Sequence, residues 1–158
     1  MANSLLHSTA EVVRQLLVDL GYAAAPAVPQ VNAWPIYVGS EPDGAGVPDN
    51  VLSVYDTQGG PAPRFAQTGE LGGNDGFLVR IRASDYQTGW RKGDELQTAL
   101  AEHPDLVRTE GRGVVIASSS YAVYGIVNIG AILRLGLERG GRRWLFTVNA
   151  ELVVEQLS

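Results

Sequence analysis

The sequence contains no cysteine, so disulfide bonds, thiolate metal sites and cysteine nucleophiles are excluded. Lysine is nearly absent as well, because Lys92 is the single lysine among the 12 basic residues. Acidic residues are in excess at 17, and the net charge of −5 argues against tight nucleic-acid binding through a basic surface. No apolar run approaches the roughly 20 residues that a transmembrane helix needs.

What is present indicates a folded protein. Apolar residues make up 45% and charged residues 18% of the chain, which suits a single domain over residues 1–158 with a substantial core. The N-terminal segment lacks the basic stretch of a signal peptide, and Glu11 and Arg14 interrupt any apolar region there. We therefore expect synthesis in the cytoplasm and no membrane partner.

An apolar repeat at the helical period predicts a first helix over residues 4–20. Ser8 followed by Glu11 matches a capping box, although Ser4 is an equally good start. Gly21 stands where a helix of this length is expected to stop.

A second helix is predicted over residues 85–102, where Ser84 and Gln87 again match a capping box. Its apolar stripe consists of Tyr86, Trp90, Leu96, Ala99 and Leu100. Gly89 and Gly93 lie one turn apart and indicate that a strand approaches the helix closely there.

Short runs of apolar or alternating residues predict the strands. The segments are 34–38, 51–56, 77–83, 114–119, 121–129, 131–138 and 144–152. In the third of these, Phe77, Val79, Ile81 and Ala83 share one face, and Leu78, Arg80 and Arg82 share the other. We expect the first face in the core and the second in water or in an interface.

The last two strands are predicted to form a hairpin. Residues 139–142 (RGGR) suit a tight turn, because both glycines can adopt positive φ. Leu133, Leu135 and Leu137 would share one face of the first strand. The inward residues of the second would be Trp144, Phe146, Val148, Ala150 and Leu152. The predicted class is α+β, with two helices packed on one face of a mainly antiparallel sheet.

Residues 57–76 hold six glycines and two prolines and predict a long loop. Structureless loops beyond about 12–15 residues are uncommon inside compact domains and tend to be functional or disordered. We interpret this loop either as a partner-binding segment that orders on assembly or as a surface loop with no role.

The residues that chemistry would require are not arranged in a recognisable catalytic, cofactor or metal motif. The glycine-rich stretch 69–76 precedes a strand rather than a helix and lacks the lysine of a phosphate-binding loop. Glu41, Asp43, Asp49 and Asp56 are close in sequence but lack the spacing of a calcium loop. We therefore predict no catalytic, cofactor or metal site.

Arginine side chains are the leading candidates for contacts with other chains, because arginine is over-represented in interfaces. The candidate interface residues are Arg64, Phe65, Arg80, Arg82, Arg134, Arg142 and Arg143. Solvated faces and a charged hairpin tip are the alternative interpretations.

Three stretches of the sequence carry a resemblance to a known family. The first is WPIYVG at 34–39, after an N-terminal helix. The second is Glu41-Pro42-Asp43 leading to PDNVLSVYDT at 48–57. The third is VRIRASDY at 79–86, with the following helix and the closing hairpin that contains Asn149. With these stretches the chain resembles the tail-terminator (tail-completion, minor-capsid) family of long-tailed bacteriophages, and the resemblance covers nearly the whole chain.

The resemblance implies a tail-terminator-like α+β domain without catalytic residues. Members of this family assemble as a six-membered ring on the tail tube, stop its growth and face the head-side connector. The implied partners are copies of the same chain, the tail tube protein and the connector or stopper protein. DNA would pass through the lumen without specific binding, and the implied location is the tail or neck of the virion, after assembly in the host cytoplasm.

Three alternatives remain open at this stage. The chain could be another neck component, such as a head-completion connector. It could be a small cytoplasmic enzyme with a carboxylate site around Asp43, Asp49 and Asp56. A bacterial ligand-binding domain unrelated to phages is the third.

Overall fold

The computed structural model describes residues 6–26, 34–41, 47–57, 74–106, 111–138 and 140–157. The helices within them are α1 (Thr9–Asp19) and α2 (Tyr86–Glu102), and a 3-10 turn follows at Pro104–Leu106. The strands are β1 (Ala23–Ala24), β2 (Trp34–Val38), β3 (Val51–Thr57), β4 (Asn74–Ala83), β5 (Arg112–Ile116), β6 (Ser119–Val127), β7 (Leu133–Leu137) and β8 (Trp144–Gln156). No helix in this part of the chain is long and apolar enough to span a bilayer.

Helix α1 begins at the second of the two candidate starts. The Ser8 side chain accepts the Glu11 N–H at 3.3 Å, and the Glu11 carboxylate accepts the Ser8 N–H at 2.7 Å, so the predicted capping box is confirmed. The Asp56 carboxylate accepts the Ala10 N–H at 2.8 Å, which supplies a further acceptor at this helix start. Gly21 follows the helix with a φ of +86°.

Helix α2 begins differently from the prediction, because Asp85 and not Ser84 is its N-cap. The Asp85 carboxylate accepts the Thr88 N–H at 3.1 Å and also the Thr88 hydroxyl. These hydrogen bonds, first from the hydroxyl and then from the N–H, lower the pKa of Asp85. Ser84 instead donates its N–H to the Asn50 side chain at 2.9 Å, which keeps Ser84 at the end of β4.

All eight strands form one sheet in the order β1-β2-β3-β4-β8-β6-β5, with β7 also paired to β8. The β1–β2 and β2–β3 pairs are parallel, and the other pairs are antiparallel. The predicted α+β class with a mainly antiparallel sheet is therefore confirmed. The parallel pairing of the two short strands was not predicted.

The core lies between the helices and one face of the sheet. The predicted inward face of β4, with Phe77, Val79 and Ile81, is fully buried against α1 and α2 side chains, as is Phe146 of β8. The two glycines of α2 allow this packing, because a Cβ on Gly89 would lie 2.5 Å from Cε2 of Phe146. The predicted close approach of a strand is therefore confirmed.

Strand β8 organises the sheet because it is long enough to serve three neighbours. One edge of β8 pairs with the entire length of β4, from Asn74 to Ala83. The other edge pairs first with β7 and then with β6. The predicted β7–β8 turn is confirmed, since Gly140 and Gly141 have φ values of +112° and +83°.

Candidate interaction surface

The seven candidate interface residues are dispersed in the structure. Arg64 and Phe65 lie outside the described residues, as does most of the predicted loop. Arg80 and Arg82 lie on β4, on the face of the sheet away from the helices. The others belong to β7 and to the turn that follows it.

Arg82 is buried, with 2% of its surface exposed, so the expectation of a solvated or interfacial position is wrong for the isolated chain. Its Nη2 donates to the Pro48 carbonyl at 3.0 Å and its Nε to the Asp49 carbonyl at 3.1 Å. The guanidinium thus fixes the segment that leads into β3, because it satisfies carbonyl groups that no strand partner reaches.

Arg80 also has intramolecular partners. Its Nη1 lies 2.9 Å from Oε1 of Glu41, and its guanidinium carbon lies 5.3 Å from the centre of the Tyr55 ring. Burial, followed by the charge of Glu41, raises the pKa of Tyr55. The Arg80 side chain nevertheless keeps 33% of its surface exposed.

Arg143 stabilises the β7–β8 turn. Its Nη2 lies 2.6 Å from Oε1 of Glu138, and its Nη1 lies 3.7 Å from Oδ1 of Asp49. The backbone N–H of Glu138 donates to the Arg143 carbonyl at 2.7 Å across the same turn. With 14% of its side chain exposed, Arg143 has mainly an intramolecular role.

Among the candidate arginines that the structure describes, Arg134 and Arg142 face solvent. The guanidinium of Arg134 lies 5.9 Å from the centre of the Tyr86 ring, a cation–π contact. Neither arginine forms an ion pair with any residue in the described ranges. As far as the described residues are concerned, their charges are therefore available to another chain.

Strand β7 places three leucines next to these arginines. Leu133, Leu135 and Leu137 are 49%, 50% and 51% exposed. The prediction that they share one face is wrong, because a bulge at Leu135 and Gly136 shifts the register with β8. Leu133 lies opposite Thr147 and Leu137 opposite Trp144, on different faces of the sheet.

Two aromatic residues of α2 extend this apolar area. Tyr86 and Trp90 belong to the predicted apolar stripe of the helix, yet 37% and 41% of their surfaces are exposed. Tyr86 packs its edge on Trp144, with ring centres 5.2 Å apart, so one side is fixed and the other is open. The combined area wraps around β7, so that Leu133 lies on the face away from the helices. We call it the basic apolar surface: Tyr86, Trp90, Leu133, Arg134, Leu135, Leu137 and Arg142.

The outer edge of β7 is open. Among the described strands β7 pairs only with β8, so its outward N–H and C=O groups have no strand partner there. An open edge lined by exposed leucines is a ready site for contact with another chain, and the arginines and the bulge limit which chain can bind. Sequence reasoning identified Arg134 and Arg142 but not this edge.

A second exposed apolar area surrounds two glutamates at the other end of β8. Val127 lies opposite Glu151, and Tyr124 donates its hydroxyl to Glu155 at 2.8 Å. Glu151 accepts from the Asn128 side chain at 2.5 Å. We call this area the acidic apolar surface: Val115, Tyr124, Val127, Glu151, Glu155 and Leu157.

The acidic apolar surface lies on the face of the sheet away from the helices. Val115 pairs with Ser120, whose carbonyl accepts the Leu157 N–H at 2.8 Å, so the two apolar side chains lie in one row. Glu151 and Glu155 form no ion pair with any residue that the structure describes. Sequence reasoning missed this surface, although alternation from Leu152 places both glutamates outward.

The Tyr124 contact gives a direct test of the charge at Glu155. The hydrogen bond to Glu155, burial and the negative charge together raise the pKa of Tyr124. We expect Tyr124 to ionise above the ordinary tyrosine value of about 10, and Glu155→Gln to lower its pKa towards that value. The measurement is the tyrosinate absorbance during a pH titration, with Tyr124→Phe subtracted. Glu151→Gln is the matched control, and an equal effect of both substitutions would contradict the contact.

The carboxylates that suggested an enzyme do not converge within the described residues. Asp49 and Asp56 lie near opposite ends of β3, about 20 Å apart along a strand. Asp43 lies outside the described ranges. Within those ranges, no group of three or more acidic, histidine or cysteine side chains is arranged to hold a metal ion.

The two histidines have structural neighbours. His7 Nδ1 lies 2.6 Å from the hydroxyl of the buried Tyr121, and the His103 ring packs edge-on against Tyr22.

No family model matches this chain, and no curated protein sequence is significantly similar to it.

Proposed function

We propose that this chain is a structural protein of a long-tailed bacteriophage virion that caps the tail tube as a ring. In this role it stops tube polymerisation and forms the joint to the head-side connector, and DNA passes through the lumen. The observation that carries the proposal is the open β7 edge, where three half-exposed leucines lie beside two arginines that form no ion pair with a described residue. Exposed apolar side chains grouped at an open strand edge favour burial against another chain.

The dimensions of the chain fit a ring around DNA. A domain of this length has a radius of gyration of roughly 15 Å, and hence a diameter of about 40 Å. Six such subunits in contact leave a lumen about 40 Å wide, which loops can narrow while a duplex still passes. The net charge of −5 suits a channel that must not hold phosphate groups.

The candidate interface residues differ in the role that each can have in a ring contact. Arg134 and Arg142 remain the best candidates because their charges are unpaired among the described residues. Arg80 is partly exposed and remains a candidate. Arg82 and Arg143 hold the subunit together and would affect a ring indirectly.

Purified tail tubes provide the test of this function. We expect the protein to bind to one end of the tubes, seen by negative-stain microscopy as a cap, and to stop further addition of tube protein. Leu135→Asp should weaken this binding, whereas Thr98→Asp on the exposed side of α2 should not. Binding to filled heads and not to tubes would identify a connector instead. A protein that ignores both would overturn the proposal.

A further inference from the structure

We infer that the basic apolar surface of one copy binds the acidic apolar surface of the next copy, in a head-to-tail contact. The inference rests on the proposed function, since it names the partner that covers the β7 edge. The two surfaces contain nine of the ten large apolar side chains that are exposed in the described residues, and Leu6 is the exception. Apolar burial between copies should therefore concentrate in these two places.

The two surfaces lie far apart on one strand. Arg134 stands opposite Phe146, near the start of β8, and Glu155 lies nine residues further along (155 − 146 = 9). At about 3.3 Å per residue this separation is about 30 Å. One copy can therefore use both surfaces at the same time, each with a different neighbour.

Charge decides which surfaces meet. A two-fold contact of the basic apolar surface with itself would bring Arg134 and Arg142 close to the arginines of the other copy. A two-fold contact of the acidic apolar surface would likewise bring Glu151 and Glu155 close to the glutamates of the other copy. The head-to-tail contact instead pairs arginine with carboxylate, which permits charge-assisted hydrogen bonds. Contacts between two different patches generate rings when the rotation closes.

The composition of the two surfaces also matches. Each has an apolar centre, made of leucine and aromatic side chains on one and of valine, leucine and tyrosine on the other, with charges beside it. Apolar centres with charged rims are the usual arrangement of protein interfaces. The carboxylates of Glu151 and Glu155 already accept hydrogen bonds from neutral donors, so they are oriented without being neutralised.

Cysteine cross-linking can test the contact in the full chain, because the native sequence has no thiol that would give background. Leu135→Cys marks the basic apolar surface, and Val127→Cys marks the acidic one. We expect a mixture of the two variants to form disulfide-linked dimers under mild oxidation, while each variant alone forms few disulfides because no thiol lies opposite its cysteine. A chain with both cysteines should form a ladder of oligomers. Thr98→Cys, outside both surfaces, gives the rate of random collision.

Charge reversal then tests why the surfaces bind. Arg134→Glu with Arg142→Glu in the Leu135→Cys chain should reduce cross-linking to Val127→Cys by roughly tenfold, since like charges then face each other. Adding Glu151→Lys and Glu155→Lys to the Val127→Cys chain should restore it. Rescue of this kind requires the two surfaces to be in contact, because each pair of substitutions lies on a different copy.

Two results would overturn the inference. Efficient cross-linking of Leu135→Cys with itself would show that β7 pairs with β7 across a two-fold axis. Mixed cross-linking no faster than that of Thr98→Cys would show that the surfaces do not meet. These experiments contain no tail tubes, so copies that cross-link but do not cap tubes would refute the proposed function and leave the head-to-tail contact in place.

Discussion

Replacing Gly89 with alanine should lower the free energy of unfolding by about 1–3 kcal/mol, although alanine favours a helix by about 1 kcal/mol. A Cβ at this position would lie 2.5 Å from Cε2 of Phe146 and 3.0 Å from Cβ of Ala83. The Phe146 ring is fully buried, so it cannot move without disturbing its neighbours. Chemical denaturation followed by circular dichroism measures the change.

Gly93→Ala is the matched control, one turn along the same helix. There the nearest atom to a new Cβ is Cγ2 of Ile132 at 3.2 Å, which a small shift can accommodate. The better helix propensity of alanine should offset that shift and leave the stability within about 1 kcal/mol of the original. Equal stability of the two variants would show that α2 is not held against β8 as tightly as the structure indicates.

Replacing Arg82 with alanine should cost about 2–4 kcal/mol of unfolding free energy. The substitution removes a buried side chain and the hydrogen bonds that its guanidinium donates to the Pro48 and Asp49 carbonyls. Arg142→Ala, at an exposed site, should change the stability by no more than about 0.5 kcal/mol. Thermal and denaturant unfolding of both variants provides the comparison.

The same pair of variants separates folding from assembly. Arg142→Ala should weaken cross-linking between copies while leaving the subunit stable. Arg82→Ala should lower the stability of the subunit but leave cross-linking unchanged at temperatures where the variant remains folded. If Arg82→Ala were as stable as the original chain and failed to cross-link, the interfacial position first predicted for Arg82 would be correct after all.

The sequence was sufficient to predict the parts of the fold in which neighbouring residues carry the information. Alternation identified the core face of β4, and two adjacent glycines identified the β7–β8 turn. The capping box at Ser8 is a similar local signal, since both of its partners lie within four residues. Alternation and local capping depend little on distant parts of the chain.

The predictions were wrong where a residue's position depends on contacts with a segment distant in the sequence. Arg82 alternates with apolar residues as a solvated residue would, but its carbonyl partners lie more than thirty positions earlier in the chain. The bulge at Leu135 and Gly136 puts Leu133 and Leu137 on different faces of the sheet, and no sequence pattern marks such a shift in register. The parallel pairing of β2 with β3 likewise has no local signal.

The candidate site was predictable only in part, for the same reason. Arg134 and Arg142 were identified because charge is visible in the sequence. The exposure of Tyr86 and Trp90 was not predicted. An apolar stripe on a helix predicts burial, but it does not indicate where the strand that covers the helix ends. The acidic apolar surface combines β5, β6 and β8, so it exists only once these strands are paired.

The length of β8 has a mechanical consequence. Tension between neighbours bound near β7 and near β6 would pass along β8, whereas the hydrogen bonds that join β7 and β6 to β8 lie across the strand. The four residue pairs with β7 and the six with β6 would then carry the load in shear instead of opening one at a time. A subunit built in this way resists pulling along the line on which its two neighbours would act.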